Sequence, residues 1–297
     1  MAGYSILSSL KLLKISPSKY YNWVERKGLP NQINRDTPNS TWLLPEENEM
    51  IVSFCQDKIE EGYRRLSYMM LDEDIVAASP STVFRVLKRN DLLNRWSTKK
   101  PSSKGTGFIQ PLKPNDHWHT DISYVNILGT FFFLMTVLDG FSRKVLHHEL
   151  RANMTEADVE IVMQRTLELY PDAKGNLITD NGSQYISKDF KVFIKDSGLN
   201  HIRTSVAYPQ SNGKIERFHR TIKSEKIRVS SFVDIKDARD QINNYITEYN
   251  GERLHSAIDY LTPNDVFNGL KERRLAERKI KLDNARIARS KVSRLAG

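Results

Sequence analysis

The sequence predicts an α/β layer domain, a mixed five-stranded sheet with flanking helices, preceded by an all-α region. Three observations carry this. Apolar residues recur at helical spacing through the first hundred residues. At His117 the period changes to the two-residue alternation of strands. From there the elements follow in the order strand, strand, strand, helix, strand, helix, strand, helix.

In the helical region two segments share one design. Leu7, Leu10 and Leu13 form a helix face, Ile15 closes a turn, and Ser16 caps a second helix that begins at Pro17. Tyr20, Trp23 and Val24 continue the apolar face. Further on, Leu66, Met69 and Met70 precede a break, and Ser79-Pro80 opens a helix with Val83, Val86 and Leu87 inside. Ser81, Thr82, Arg85, Lys88 and Arg89 are left facing outward. A helix, a turn and a capped second helix with basic residues exposed is how a helix-turn-helix enters a major groove, with its N-terminus toward phosphate. The alternative is a helical hairpin with a solvated basic face.

Residues 97–116 are rich in turn formers and poor in apolar residues, the signature of a linker. Beyond it Trp118, Thr120, Ile122 and Tyr124 alternate with His119, Asp121 and Ser123 in a first strand. Phe131 to Leu138 is a buried strand, Asp139-Gly140 a turn, and Arg143 to Leu150 a third strand. Thr155, with Asp158 three residues on, caps a helix that reaches Tyr170. Asn176 to Thr179 is a strand that ends at Asp180. Ser187 caps a helix that Gly198 terminates, His201 to Ser205 is the fifth strand, and the turn Tyr208 to Gly213 feeds a helix from Lys214. Ile235 to Tyr249 gives one more amphipathic helix. This is the chain order of the RNase H-like fold.

Composition narrows the partners. The 297 residues carry a formal charge of +9, which favours a polyanion such as nucleic acid or an acidic membrane surface. The tail from residue 268 contributes much of that excess, either as a DNA-backbone-binding helix or as a solvated extension. The longest apolar stretch, Phe131 to Leu138, is too short to span a bilayer, no secretory signal opens the chain, and a cytoplasmic protein is expected. Cys55 is the single cysteine, so no intramolecular disulfide and no Cys-pair zinc site can form.

The chemistry is expected from three acids. Asp121 sits mid-strand on the face opposite Trp118 and Ile122, Asp180 at a strand end before Asn181-Gly182, and Glu216 in the first turns of a helix. Carboxylates gathered at strand ends repel one another unless a cation intervenes. A pair of Mg²⁺ or Mn²⁺ ions suits hard oxygen donors and clamps both the attacking and the leaving oxygen of an in-line displacement at phosphorus. Lys223, two turns beyond Glu216 on the same face, is placed to meet a phosphate. His119 shares a strand face with Asp121 and reads as a wall of the site or a satisfied polar neighbour rather than a ligand.

Trp118-His-Thr-Asp-Ile-Ser-Tyr124, Ile178-Thr-Asp-Asn-Gly-Ser-Gln-Tyr185 and Tyr208-Pro-Gln-Ser-Asn-Gly-Lys-Ile-Glu-Arg-Phe218 together resemble the retroviral integrase superfamily. Asp180 and Glu216 stand at the separation that names its Asp, Asp, Glu signature. Gly62-Tyr-Arg-Arg-Leu66, and Tyr249 to His255 with Thr262-Pro263, are similar to segments of the second-frame transposases of two-frame bacterial insertion sequences. The resemblance runs from about residue 58 to 268. It implies a DNA transposase in which Asp121, Asp180 and Glu216 are catalytic and hold two Mg²⁺ or Mn²⁺ ions, and Lys223 contacts DNA. Arg64 and Arg65 of the Gly62–Leu66 stretch join Ser81, Thr82, Arg85, Lys88 and Arg89 as expected DNA contacts, and Gln210 and Asn212 are expected to line the DNA groove. The implied partners are double-stranded DNA (element ends and target), further copies of the chain as a dimer or higher oligomer, and a first-frame transposon protein. No sustained heptad and no His-His-Cys-Cys zinc module is present. The expected organisation is a helical segment over 1–40, a helix-turn-helix region over 41–96, the linker over 97–116, the catalytic core over 117–268 and a basic tail over 269–297. Two other functions share these features: a metal-dependent nuclease that does not join strands, and a DNA-binding regulator with a non-catalytic core.

Overall fold

Ser-Pro pairs open two of the five N-terminal helices, as their chemistry predicts. A computed structural model describes residues 5–28, 42–93, 110–204 and 212–295, so most of the predicted linker and of the Tyr208–Gly213 turn lies outside the described residues. Helices α1 (Ile6–Leu12) and α2 (Pro17–Glu25) come first, with the Ser16 hydroxyl accepting the Lys19 amide. The apolar face read on α2 is not covered: Trp23 is 53% and Val24 50% exposed, and α2 has no buried residue. Residues 45–283 form one compact unit, and the described residues before and after it group separately.

Within that unit α3 (Pro45–Asp57), α4 (Tyr63–Asp72) and α5 (Pro80–Arg89) bury Ile51, Cys55, Leu66, Met70, Val83, Val86 and Leu87. The Ser79 hydroxyl accepts the Thr82 amide at 3.3 Å, and Pro80 fills the first helical position, where a missing N–H costs nothing. Ser81, Arg85, Lys88 and Arg89 are exposed as expected and Thr82 is half-buried. Arg85 folds back on its own helix, donating to the Ser81 carbonyl and the Thr82 hydroxyl.

The sheet follows. Strands β1 (His117–Ile127), β2 (Thr130–Asp139) and β3 (Val145–Arg151) form an antiparallel meander, and β4 (Asn176–Thr179) and β5 (Asn200–Arg203) add parallel to β1. The spatial order is β3-β2-β1-β4-β5, with β2 alone running against the rest. This is the RNase H-like arrangement. Leu128 and Gly129, both at positive φ, make the tight β1–β2 turn. The crossovers are helical: α6 (Glu156–Leu169) with a complete Thr155–Asp158 capping box, then α7 (Ser183–Ile186) and α8 (Lys188–Asp196). The single-turn α7 was not anticipated, because four residues leave no period to read.

Each face of the sheet has its own core. Trp118, Met135, Val137 and Leu177 pack with Val159, Val162 and Met163 of α6 and Phe190 and Ile194 of α8. On the other face Val125, Ile127, Leu134 and Leu138 meet Ile215, Phe218 and Ile222 of α9 (Gly213–Ile222). They also meet Ala238, Ile242, Ile246 and Tyr249 of α10 (Ile235–Gly251). After α11 (Pro263–Phe267), helix α12 (Lys271–Leu295) carries the basic tail. Its first turns are anchored. Arg278 forks onto Asp72 of α4 and donates to the carbonyls of Asp259 and Tyr260, and Lys281 reaches the carbonyls of Leu71 and Asp72.

His148 on β3 faces α10, its Nε2 2.7 Å from Asn243 Oδ1. Burial pushes its pKa down to about 4, although the Asn243 contact works the other way. The unfolded chain takes up this proton near pH 6.5 and the folded chain resists it, so the stability is present above that pH and is lost as pH falls toward 4. Between pH 7 and pH 5 the loss from this residue is about 1–2 kcal/mol. Urea titrations of His148→Gln at the two pH values are expected to show a correspondingly smaller difference than the parent; an equal difference would exclude the assignment.

Candidate active site

β1 and β4 bring the first two acids together. Their parallel register pairs His117 with Asn176, Trp118 with Leu177 and His119 with Ile178. Asp121 stands two residues beyond the last of these pairs in β1, and Asp180 two residues beyond it, just past the end of β4; the charges of both act on Tyr185. Asp180 Oδ1 accepts the Gly182 amide at 2.9 Å, so the Asp-Asn-Gly turn holds its carboxylate. Asp121 Oδ1 accepts the Ile122 amide at 2.8 Å, and its Oδ2 lies 3.3 Å from His219 Nδ1. Close by is Tyr185, fully buried. Burial first, then the charges of Asp121 and Asp180, push its phenol pKa up, so the hydroxyl stays protonated beside both acids.

Helix α9 supplies the third acid. Its buried stripe of Ile215, Phe218 and Ile222 fixes it on the sheet and leaves Glu216 exposed. A cleft of about 340 Å³ has Asp121, Glu216, His219, Arg220, Lys223 and Arg228 in its wall. Lys223 begins a five-residue π-helical turn, Lys223–Ile227, a local widening that is frequent at functional sites. The cleft thus joins two of the expected acids to a rim of three cations.

The donors fit a hard divalent cation in kind, being carboxylate oxygens. In arrangement they fit only in part. Among the described residues no three His, Cys, Asp or Glu side chains gather closely enough to hold an ion.

The rest of the predicted set divides. Gln210 lies outside the described residues. Asn212, read as a groove residue, is instead buried, with its side chain at His119. A polar turn sequence had suggested exposure, but the inward His119 needs a polar neighbour. His119 is fully buried and is held down to about 3, by burial first and then by the charges of Lys214 and Arg143; it is not among the residues that line the Asp121–Glu216 cleft. Lys214 donates to the Gly140 carbonyl at 2.9 Å. His219 was missed. It lies one turn after Glu216, a spacing visible in the sequence, but its partner Asp121 is on another element.

A larger cleft, about 650 Å³, lies beside β3 and contains none of the three acids. Its charges compensate one another: Glu149 pairs with Arg151 and Arg165, and Arg151 with Asp158. No chemistry is assigned to it.

Two family models described as "Integrase core domain" match residues 111–209 and 197–263, so that together they run through the sheet, α9 and α10. The transposase for insertion sequence element IS904 of Lactococcus lactis subsp. lactis is 28% identical over 183 residues, covering 58% of this chain and 72% of that protein. The chain belongs to the integrase-core family of insertion-sequence transposases. The transposase InsD for insertion element IS2D of Escherichia coli is 27% identical over 234 residues, 73% of this chain and 78% of that one. Among solved structures, the simian T-cell lymphotropic virus intasome in complex with PP2A regulatory subunit B56 gamma aligns with a TM-score of 0.47. It is 16% identical and covers 73% of this chain and 74% of that chain.

In this transposase the basic residues expected of the helical region fall into two groups. Arg85, Lys88 and Arg89 of α5 and Arg64 of α4 face solvent, Arg64 at 5.3 Å over the Tyr63 ring. Arg65 is half-buried and ion-paired with Glu61. Among the described residues no helix is long and apolar enough to cross a membrane.

Proposed function

We propose that this transposase binds the ends of its element through the basic face of α5 and cuts and joins DNA strands at Asp121, Asp180 and Glu216. What supports the reading is that Asp121 and Asp180 each follow the last β1–β4 register pair, His119 with Ile178, by two residues, together with the cleft that Asp121 shares with Glu216. These three carboxylates would hold two Mg²⁺ or Mn²⁺ ions, whose chemistry is to acidify the attacking hydroxyl and to stabilise charge on both oxygens at phosphorus.

The chain's own residues do the positioning. Lys223, Arg220 and Arg228 on the cleft rim attract the phosphodiester and hold it by charge. His219, in contact with Asp121, keeps that carboxylate in one orientation. In the first step a water oxygen forms a bond to phosphorus, the bond to the 3′-oxygen breaks, and that oxygen leaves as a 3′-hydroxyl. In the second step the same 3′-hydroxyl attacks a target phosphodiester and a target 3′-oxygen leaves. No covalent link to protein is needed, and none of these residues is an activated nucleophile. Acting on two ends calls for two such sites, hence two or more copies of the chain on DNA, and a first-frame partner belongs to the same proposal.

The test is incubation of the protein with Mn²⁺ or Mg²⁺ and labelled DNA carrying the ends that flank its gene, beside an Asp180→Asn variant. Metal-dependent joined products absent from the variant are expected. Cleavage without joining would turn the assignment to a nuclease, and bound but uncut DNA would turn it to a regulator.

A further inference from the structure

Two sequence motifs have no part in that chemistry, and the fold brings them to one place. They are the Gly62–Leu66 stretch of α4 and the Tyr249–His255 segment at the end of α10. Arg253 forks onto Glu225, Nε to Oε2 at 2.8 Å and Nη2 to Oε1 at 2.5 Å, and the Tyr245 hydroxyl donates to the same carboxylate. The Arg253 guanidinium lies 5.5 Å over the Tyr249 ring, which meets the His255 ring at 6.4 Å. Arg65 of the first motif acts electrostatically on Glu225, Tyr249 and His255. Arg143 from the β2–β3 turn and Arg217 from α9 act on His255 as well. His255 Nδ1 accepts the Ala257 amide, so its ring proton is on Nε2, which becomes one more donor.

The charges here do not balance. Glu225 is engaged by Arg253 and Tyr245, and Glu61 by Arg65. Asp139 acts electrostatically on Arg143, but its side-chain hydrogen bonds come from the amides of Asn115 and Ser142 and from the Ser142 hydroxyl, none from the guanidinium. Among the described residues, Nε and Nη1 of Arg143 and Nε of Arg65 are buried without an acceptor. Buried guanidinium N–H groups without acceptors are costly, and an anion arriving from outside relieves that cost.

We propose that Arg65, Arg143, Arg217, Arg253 and His255 form a phosphate-binding site that seats a backbone phosphate of the DNA, so that helices of the N-terminal region and the sheet domain grip one strand together. The proposal rests on the reading that the chain acts on DNA. Arg217 follows Glu216 directly in α9, so the same helix contributes to the carboxylate cleft and to this second site.

The test is fluorescence anisotropy of the full chain with a labelled duplex bearing an element end, without divalent ions, over a series of salt concentrations. Arg217→Gln, at an exposed position, is expected to weaken binding roughly tenfold. It should also reduce the slope of log affinity against log salt by about 0.9, one phosphate contact. Arg143→Gln is expected to reduce the slope likewise while leaving the melting temperature of the DNA-free protein unchanged or higher, since it removes an uncompensated charge. An unchanged slope in both variants overturns this site and leaves strand joining untouched, whatever happens to the melting temperature. A parent protein that does not bind the duplex overturns both readings.

Discussion

Asp121→Asn is expected to lower strand joining at least about a thousandfold while binding to element ends stays within about twofold. Asparagine keeps the size of the side chain and an oxygen for the Ile122 amide, so the fold has no reason to change. What is lost is a negative charge that, like that of Asp180, acts on the buried Tyr185. Two further readouts separate this from a merely damaged protein. In the absence of divalent ions the variant should melt no lower than the parent, because one of two like charges acting on the same buried residue is neutralised. Added Mn²⁺ should raise the parent's melting temperature and leave the variant's nearly unmoved, as a ligand stabilises only the state that binds it. Joining that survives the substitution, or an equal Mn²⁺ effect in both proteins, would remove Asp121 from the site.

Gly175→Ala should be the most damaging small substitution outside the acids. A Cβ at this position would stand 2.1 Å from the Asn115 carbonyl oxygen and 2.3 Å from that of Asp116. Neither can retreat. Asp116 O accepts the Asn176 amide at 2.8 Å, its side chain accepts the amides of Leu112 and Lys113, and Asn115 is tied to Asp139 and to the Trp118 indole. The clash therefore pushes β4 away from β1, the one pairing that sets Asp180 beside Asp121. A loss of about 3 kcal/mol or more is expected, read by urea titration, with a fall in melting temperature of roughly 6–12 °C. Because the displaced strand carries Asp180, joining should fall further than the folded fraction accounts for. A variant within about 1 kcal/mol of the parent would show that the β4 entry is softer than its hydrogen bonds imply.

What was legible in the sequence was what local chemistry decides. Ser16-Pro17, Ser79-Pro80 and the Thr155–Asp158 box announce helix starts because cap and first turn are neighbours in the chain. The alternation from Trp118 gave β1 and the face that carries Asp121 for the same reason. The strand order and the partner of each acid were not legible, since β1 and β4 meet across the intervening strands and α6. His219 illustrates the limit: its place one turn from Glu216 could be counted, but its contact with Asp121 belongs to the tertiary fold. Asn212 failed the other way, a turn-forming residue drawn inside by a buried histidine. The Trp23 and Val24 face of α2 is apolar by pattern and uncovered in the fold, so periodicity marked the stripe without saying what would lie on it.

The anchor at Arg278 reaches beyond local packing. One guanidinium, 4% exposed, holds α4 through Asp72, the segment after α10 through the carbonyls of Asp259 and Tyr260, and the start of α12, its own helix. Segments distant in the chain thereby share a single buried charge, and the loss of any one strands the others' polar groups away from water. The physical consequence is cooperativity: α4, the segment after α10 and the first turns of α12 are thermodynamically parts of one unfolding event, and a strain felt at any of them is shared with the others.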